Sequence, residues 1–162
     1  MTDIRIRPAV AGDDDALLAL DTISWDSSSG FPSFREKHRE TFFDERTTPE
    51  TIVVAELDGV VTGYSRLVPK TPIPENSHVL GIFGLAVHPD ARGKGVGEAL
   101  VRGTIERARE KGAHKLALHV FSVNDGARRL YERCGFRVEA VLRDELLVDG
   151  EYVDDVLMAV FL

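Results

Sequence analysis

Hydrophobic positions change their period several times along the 162 residues, and each change predicts an element. Ile4-Arg5-Ile6-Arg7 alternates as a strand and stops at Pro8. Gly12 and Asp13 open a helix to which Leu17, Leu18 and Leu20 give an apolar side, and it fades into a Ser-rich loop, Ser24 to Pro32. A second helix is expected over Phe34 to Phe43. Thr51 to Leu57 and Val60 to Val68 are β-branched runs separated by Asp58-Gly59, which predicts an antiparallel hairpin. The three prolines between Pro69 and Ser77 make a loop, after which Val79 to Val87 reads as a largely buried strand.

The period then lengthens. Over Glu98 to Lys111, Val101, Ile105 and Ala108 share one face of a helix and Glu98, Arg102 and Glu106 another, until Gly112 stops it. Lys115 to Phe121 is a strand. Asn124 caps a helix whose buried stripe is Ala127, Leu130, Tyr131 and Cys134, ended by Gly135. Strands at Phe136 to Leu142 and Tyr152 to Phe161 close the chain, with Asp149-Gly150 turning between Leu146-Leu147-Val148 and the last. This order predicts an α+β class: a mixed, mostly antiparallel sheet of about six to seven strands with helices on both faces. No repeat, linker or low-complexity tract divides residues 1–162, so one domain is expected.

Composition narrows the function. The 20 Lys and Arg against 27 Asp and Glu give a net charge of −7, which argues against a nucleic-acid backbone as partner and tolerates cationic or neutral substrates. The one cysteine, Cys134, lacks the companions that a disulfide framework or a Cys-rich metal site requires. No apolar run approaches the roughly 18 residues of a membrane span, and the N-terminus lacks a signal-peptide core. A soluble, cytoplasmic protein without bound metal is expected.

The strongest chemical signal is Val87-His88-Pro89-Asp90-Ala91-Arg92-Gly93-Lys94-Gly95-Val96-Gly97. Three glycines within five residues let a backbone approach a ligand closely. The following helix aims its unpaired N–H groups and positive dipole end at the same place. Arg92 and Lys94 add charge, so a phosphate or pyrophosphate fits. A Walker loop would need Ser or Thr after Lys94, where Gly95 stands. A dinucleotide-binding fingerprint would have other glycine spacing and lie after a first strand.

What remains, Arg-x-x-Gly-x-Gly at Arg92, Gly95 and Gly97, resembles the acetyl-CoA pyrophosphate loop of the GNAT acetyltransferase superfamily. Asn124-Asp125-Gly126-Ala127-Arg128-Arg129-Leu130-Tyr131-Glu132-Arg133-Cys134-Gly135-Phe136 is similar to that superfamily's Asn-x-x-Ala-x-x-Leu-Tyr-x-x-x-Gly-Phe block at every named position. The resemblance covers residues 79 to 162 well and the first half only by general pattern. The tail from Gly135 through Arg143, Gly150 to Tyr152 and Asp154 to Met158 resembles members acting on small amino acids or protein N-termini.

The resemblance implies transfer of an acetyl group from acetyl-CoA to a primary amine by direct attack on the thioester. It places the pyrophosphate on the amides of Arg92, Gly93, Lys94, Gly95, Val96 and Gly97. The pantetheine arm would lie along Leu85, Ala86 and Val87, with Asn124, Ala127 and Tyr131 also at the cofactor. It makes Tyr131 the general acid toward the departing thiolate, where spacing alone reads it as part of an apolar stripe. Some members carry a glutamate base in the middle of the strand before the loop. This chain has Gly81-Ile82-Phe83-Gly84 there, leaving His78, His119, Asp26, Glu36, Glu145 or water as candidates. Trp25 and Phe31 suit an acceptor-pocket wall, and Arg143 suits a substrate carboxylate or equally a bare surface. A non-catalytic acyl-CoA-binding regulatory module and a nucleotide-phosphate binder are the alternatives, and a homodimer is compatible with all three.

Overall fold

The computed structural model describes residues 2–26, 29–31, 33 and 38–162. Seven strands, β1 (Ile4–Pro8), β2 (Ile52–Leu57), β3 (Val60–Pro69), β4 (Val79–Val87), β5 (Lys115–Phe121), β6 (Arg137–Val148) and β7 (Glu151–Phe161), form one sheet in the order β1-β2-β3-β4-β5-β7-β6. Only β4 and β5 run parallel; the other neighbours are antiparallel. That pairing follows from chain length: two residues suffice for the β2–β3 turn, where Asp58 and Gly59 both have positive φ, but a parallel partner needs a crossover.

The crossover between β4 and β5 is α2 (Val96–Glu110), which packs with α3 (Asp125–Arg133) on one face of the sheet. α1 (Asp14–Ser24) lies on the other. Strand alternation sorts the core between them. Leu67, Leu80, Ile82, Leu116, Leu118, Val120, Val156 and Met158 meet Val101, Ile105 and Ala108 of α2, Tyr131 of α3 and Cys134 just after it. Val54, Tyr64 and Ala86 meet Leu17 and Leu20 of α1 and Phe42. Phe42, Phe136, Leu17 and Leu100 are among the largest side chains fully withdrawn from solvent, each worth about 1.5–3 kcal/mol of hydrophobic stabilisation.

Three expectations change. Of the helix expected over Phe34 to Phe43, residues 34–37, including Glu36, lie outside the described residues, and 38–43 are irregular. Phe42 and Phe43 are held there by their amides, both donating to Asp14 Oδ1 at 3.1 and 2.8 Å. α2 starts at Val96, two residues before the apolar periodicity, because Gly95 in a left-handed conformation ends the loop there. The two segments expected before Asp149-Gly150 are one strand, β6, whose register shifts between Leu142 and Leu146 and at Val138/Ala140. Asp144, at φ 50°, absorbs the first irregularity with its amide on Asp154 Oδ1. No described helix is long and apolar enough to cross a membrane.

Candidate active site

The sheet is open in its middle. β4 and β5 pair only from Val79↔Lys115 to Ile82↔Leu118. Beyond that, β4 stays with β3 through Leu85↔Ser65, Ala86↔Tyr64 and Val87↔Gly63, while β5 stays with β7 through Phe121↔Asp155. The cause is a bulge: between their flanking pairs β3 contributes only Arg66, whereas β4 contributes Phe83 and Gly84. Gly84 has φ 123°, which side-chain-bearing residues rarely adopt. An extra residue bends its strand and increases local twist, so β4 turns from β5 one residue past the last shared pair. The backbone from Phe83 to Val87 therefore has no strand partner on its β5 side, a row of donors and acceptors that an extended polar chain can satisfy.

The glycine loop sits at the end of this seam. Gly93 (φ 74°) and Gly95 (φ 85°) are both left-handed, and Arg92, Gly93, Lys94 and Gly95 are exposed. Val96 buries its side chain as the first residue of α2, and Gly97 passes so close to Leu130 that an added Cβ would come within 3.2 Å. The first α2 amides thus face outward under a positive dipole end, a fit for a pyrophosphate. Arg92 departs from the role its charge suggested. Its guanidinium donates to Val87 O at 3.2 Å and Ser24 O at 3.3 Å, tying the loop to the ends of β4 and α1. Lys94 remains the exposed cation of the loop.

Asn124 caps α3, its Oδ1 accepting from the Ala127 amide at 3.2 Å. Tyr131, one turn further on, is 7% exposed and packs against Phe136 at 5.7 Å between ring centres. It belongs to the same cluster as Ile82, Leu118 and Val120, the residues where the seam begins. Burial pushes its phenol up to about 12, with the neighbouring Cys134 adding to the effect. The hydroxyl is therefore protonated at neutral pH, as a proton donor must be. Among the described residues nothing accepts a hydrogen bond from it.

The base candidates separate by position. His78 stands before β4 at the closed end of the β4–β5 pair, where its carbonyl accepts from the amides of His114 and Lys115. Asp26 closes a turn after α1 with Ser29. Glu145 is exposed in the irregular part of β6. His119 alone of the described candidates lies on the seam, as the first β5 residue past the last β4 pair. Its neighbours Leu118 and Val120 point into the α2/α3 core, so the imidazole emerges on the α1 face. There its Nδ1 is 2.7 Å from Asp155 Oδ2 on β7. Asp155 was missed in the sequence. The available signal was a carboxylate directly before the apolar run Val156 to Phe161, at the first step of its alternation.

The α1 face around the seam is lined by aromatics and a polar cluster. Phe83 lies over Gly81 and is 43% exposed; Phe31 packs edge-on against Phe121 at 5.3 Å. Asp21 of α1 accepts from Trp25 Nε1 at 2.7 Å, from Arg39 Nη1 at 3.3 Å and, at short range, from the Tyr64 hydroxyl. Burial and the Asp21 carboxylate both push the Tyr64 phenol far up. Trp25 is thus a core anchor, while Phe31 and Phe83 offer apolar surface. Arg143 is exposed. Among the described residues no cluster of three or more His, Cys, Asp or Glu could hold a metal.

The same arrangement recurs in known proteins. The acetyltransferase (GNAT) family profile matches residues 17–136. The L-amino acid N-acyltransferase MnaT of Escherichia coli (strain K12) is 30% identical over 118 residues, covering 72% of this chain and 68% of the relative. The L-amino acid N-acetyltransferase AaaT of the same strain is 34% identical over 108 residues, 66% of this chain and 65% of the relative. The structure of yncA from Salmonella typhimurium with its cofactor acetyl-CoA superposes with a TM-score of 0.77 at 24% identity, covering 98% of this chain and 94% of that one. The fold, the open seam, the glycine loop and these relatives agree: the chain belongs to the GNAT acetyltransferase family and is an acetyl-CoA-dependent N-acetyltransferase.

Proposed function

We propose that the acceptor is the α-amine of a small L-amino acid. The observation that carries this reading is the seam. It opens toward the α1 face beside the exposed apolar rings of Phe83 and Phe31 and ends at the glycine loop on the other face. Two relatives named as L-amino acid N-acyltransferases support the substrate class.

The residues divide the work. The amides of Arg92 to Gly97, with Lys94 nearby, hold the pyrophosphate of acetyl-CoA. The free backbone edge of Leu85, Ala86 and Val87 holds the pantetheine arm and sets an N–H at the thioester oxygen, where negative charge develops during attack. Asn124 and Ala127 fix the start of α3 and thereby the position of Tyr131, whose hydroxyl gives its proton to the departing thiolate. The whole of residues 1–162 acts as one catalytic domain.

Free-thiol release from acetyl-CoA, measured across the twenty L-amino acids beside short peptides, polyamines and aminoglycosides, tests the reading. Turnover concentrated on free amino acids, with calorimetric binding of CoA alone, is expected. Turnover only on peptide N-termini or polyamines would replace the acceptor class, and CoA binding without turnover on any amine would favour a regulatory module.

A further inference from the structure

We infer that His119, held by Asp155, is the general base that takes the proton from the acceptor ammonium. The inference rests on acetyl transfer at this seam but not on which amine is the acceptor.

Three observations converge. First, position: the β4–β5 ladder ends at Ile82↔Leu118, so His119 is at the mouth of the seam. Tyr131 reaches the same place from the opposite face, in contact with the cluster containing Ile82 and Leu118. An acid and a base on opposite sides of one gap suit a thioester lying in it: the amine adds to one face of the carbonyl from the base's side, while the sulfur stays within reach of a donor on the other side. Second, orientation: the 2.7 Å contact between Nδ1 and Asp155 Oδ2 fixes the tautomer with Nδ1–H donating, which leaves the Nε2 lone pair outward. Third, exposure: the imidazole side chain is 44% exposed, whereas that of Asp155 is 12% exposed. The histidine can meet a substrate while its carboxylate is withheld from one.

The charged surroundings are simple. On the same face of β5, His119 is flanked by Ala117 and Phe121, and its partner across to β7 is Leu157. On β4 the residue after the last shared pair is the uncharged Phe83. Lys115, two rungs away, is paired with Glu139 of β6 at 2.7 Å. Asp155 is the charged group that bonds the ring.

The proton balance closes. His119 Nε2 takes one proton from the ammonium, and the freed amine lone pair forms the N–C bond at the thioester carbon. The C–S bond breaks and the thiolate takes the Tyr131 phenol proton. The second amine proton, lost as the amide forms, restores Tyr131 through solvent, and His119 returns its proton to solvent.

The experiment is a kcat–pH profile of wild type, His119→Gln and Asp155→Asn, with whichever amine of the panel wild type acetylates fastest as acceptor, beside calorimetry with CoA. His119→Gln is expected to lower kcat at neutral pH by about 10² to 10⁴, the usual worth of a positioned base, with CoA affinity unchanged. Its rate should then climb with pH toward the amine's own pKa, as free amine replaces the missing base, while wild type levels off earlier. Asp155→Asn should lower kcat by at least about tenfold through loss of the tautomer lock. A His119→Gln profile parallel to wild type, or a change in KM alone, would overturn the assignment and leave a structural cross-strand pair. Long-range proton–nitrogen NMR of the imidazole gives a second reading: Nδ1 protonated in the neutral ring is expected, and Nε2 protonated would refute the lock. Wild-type turnover on the amine panel reports separately on the acetyl-transfer reading.

Discussion

Replacing Tyr131 by Phe separates the acid from its scaffold. The ring is 7% exposed and packed against Phe136, and Phe keeps that packing. No described residue accepts from the hydroxyl, so folding loses no protein hydrogen bond and stability should change by less than about 1 kcal/mol. The chemistry loses its proton donor. A thiolate is a fair leaving group, so the loss should fall near the lower part of the general-acid range, about 10² to 10³ in kcat, or about 3–4 kcal/mol of barrier. A free tyrosine titrates at about 10, but burial holds this one protonated up to about 12. Wild-type kcat should accordingly show no falling limb from Tyr131 up to roughly pH 10, since the phenol deprotonates only above that value. Steady-state kinetics with thiol detection, urea unfolding and CoA calorimetry on the same preparation measure all three quantities. A kcat within twofold of wild type would refute the acid role; an intact kcat with lost CoA affinity would make the hydroxyl a binding group.

Two further perturbations test the frame. Gly84→Ala meets no atom nearer than Tyr64 Cε2 at 3.9 Å, so its cost comes from φ 123° alone, about 1–3 kcal/mol. Urea unfolding should show that loss and calorimetry a weaker CoA complex; a stability loss with CoA affinity unchanged would refute the bulge's part in setting the seam. Asp13→Asn removes a carboxylate that accepts from Arg7 Nη1 and Nη2 and from the Val10 amide, all at 2.8 Å. The Arg7 hydrogen bonds, which outweigh desolvation, hold Asp13 below the usual carboxylate range. Its contribution is therefore full above the unfolded value of about 3.9 and is lost as pH falls through the lower folded value. The variant should be less stable by about 2–4 kcal/mol at pH 7 and converge on wild type in acid; an equal deficit at pH 7 and below pH 3 would contradict the linkage.

Local chemistry made much of this readable in the sequence. Asp58-Gly59 located the β2–β3 hairpin, Lys115 to Phe121 was found with its ends in place, and Asn124 was identified as a cap because its spacing to Ala127 is intrinsic to a helix start. The misses involve distance or register. The bulge at Phe83-Gly84 shows only when β3 is laid beside β4, and Gly81-Ile82-Phe83-Gly84 alone reads as a strand lacking a carboxylate. His119 and Asp155 are 36 positions apart, and which histidine matters depends on where the β4–β5 ladder ends. The tether of Arg92 to the carbonyls of Val87 and Ser24 was out of reach for the same reason, because only the fold brings those two together. The irregular stretch before Phe42 misled for a related reason: Asp14, a helix away, supplies the acceptor that a helical turn would otherwise have provided.

A bulge of one residue parts β4 from β5, and the opening has two sides, one toward α2 and the other toward α1. On the proposed reading the donor takes one side and the acceptor the other, so the two do not queue. Either can arrive or depart while its partner stays in place, and a molecule that imitates one leaves the other's route clear. The two entrances can also be remodelled separately. The α1 side, with Phe31 and Phe83, can be rebuilt for another acceptor without touching the glycine loop proposed to hold the donor.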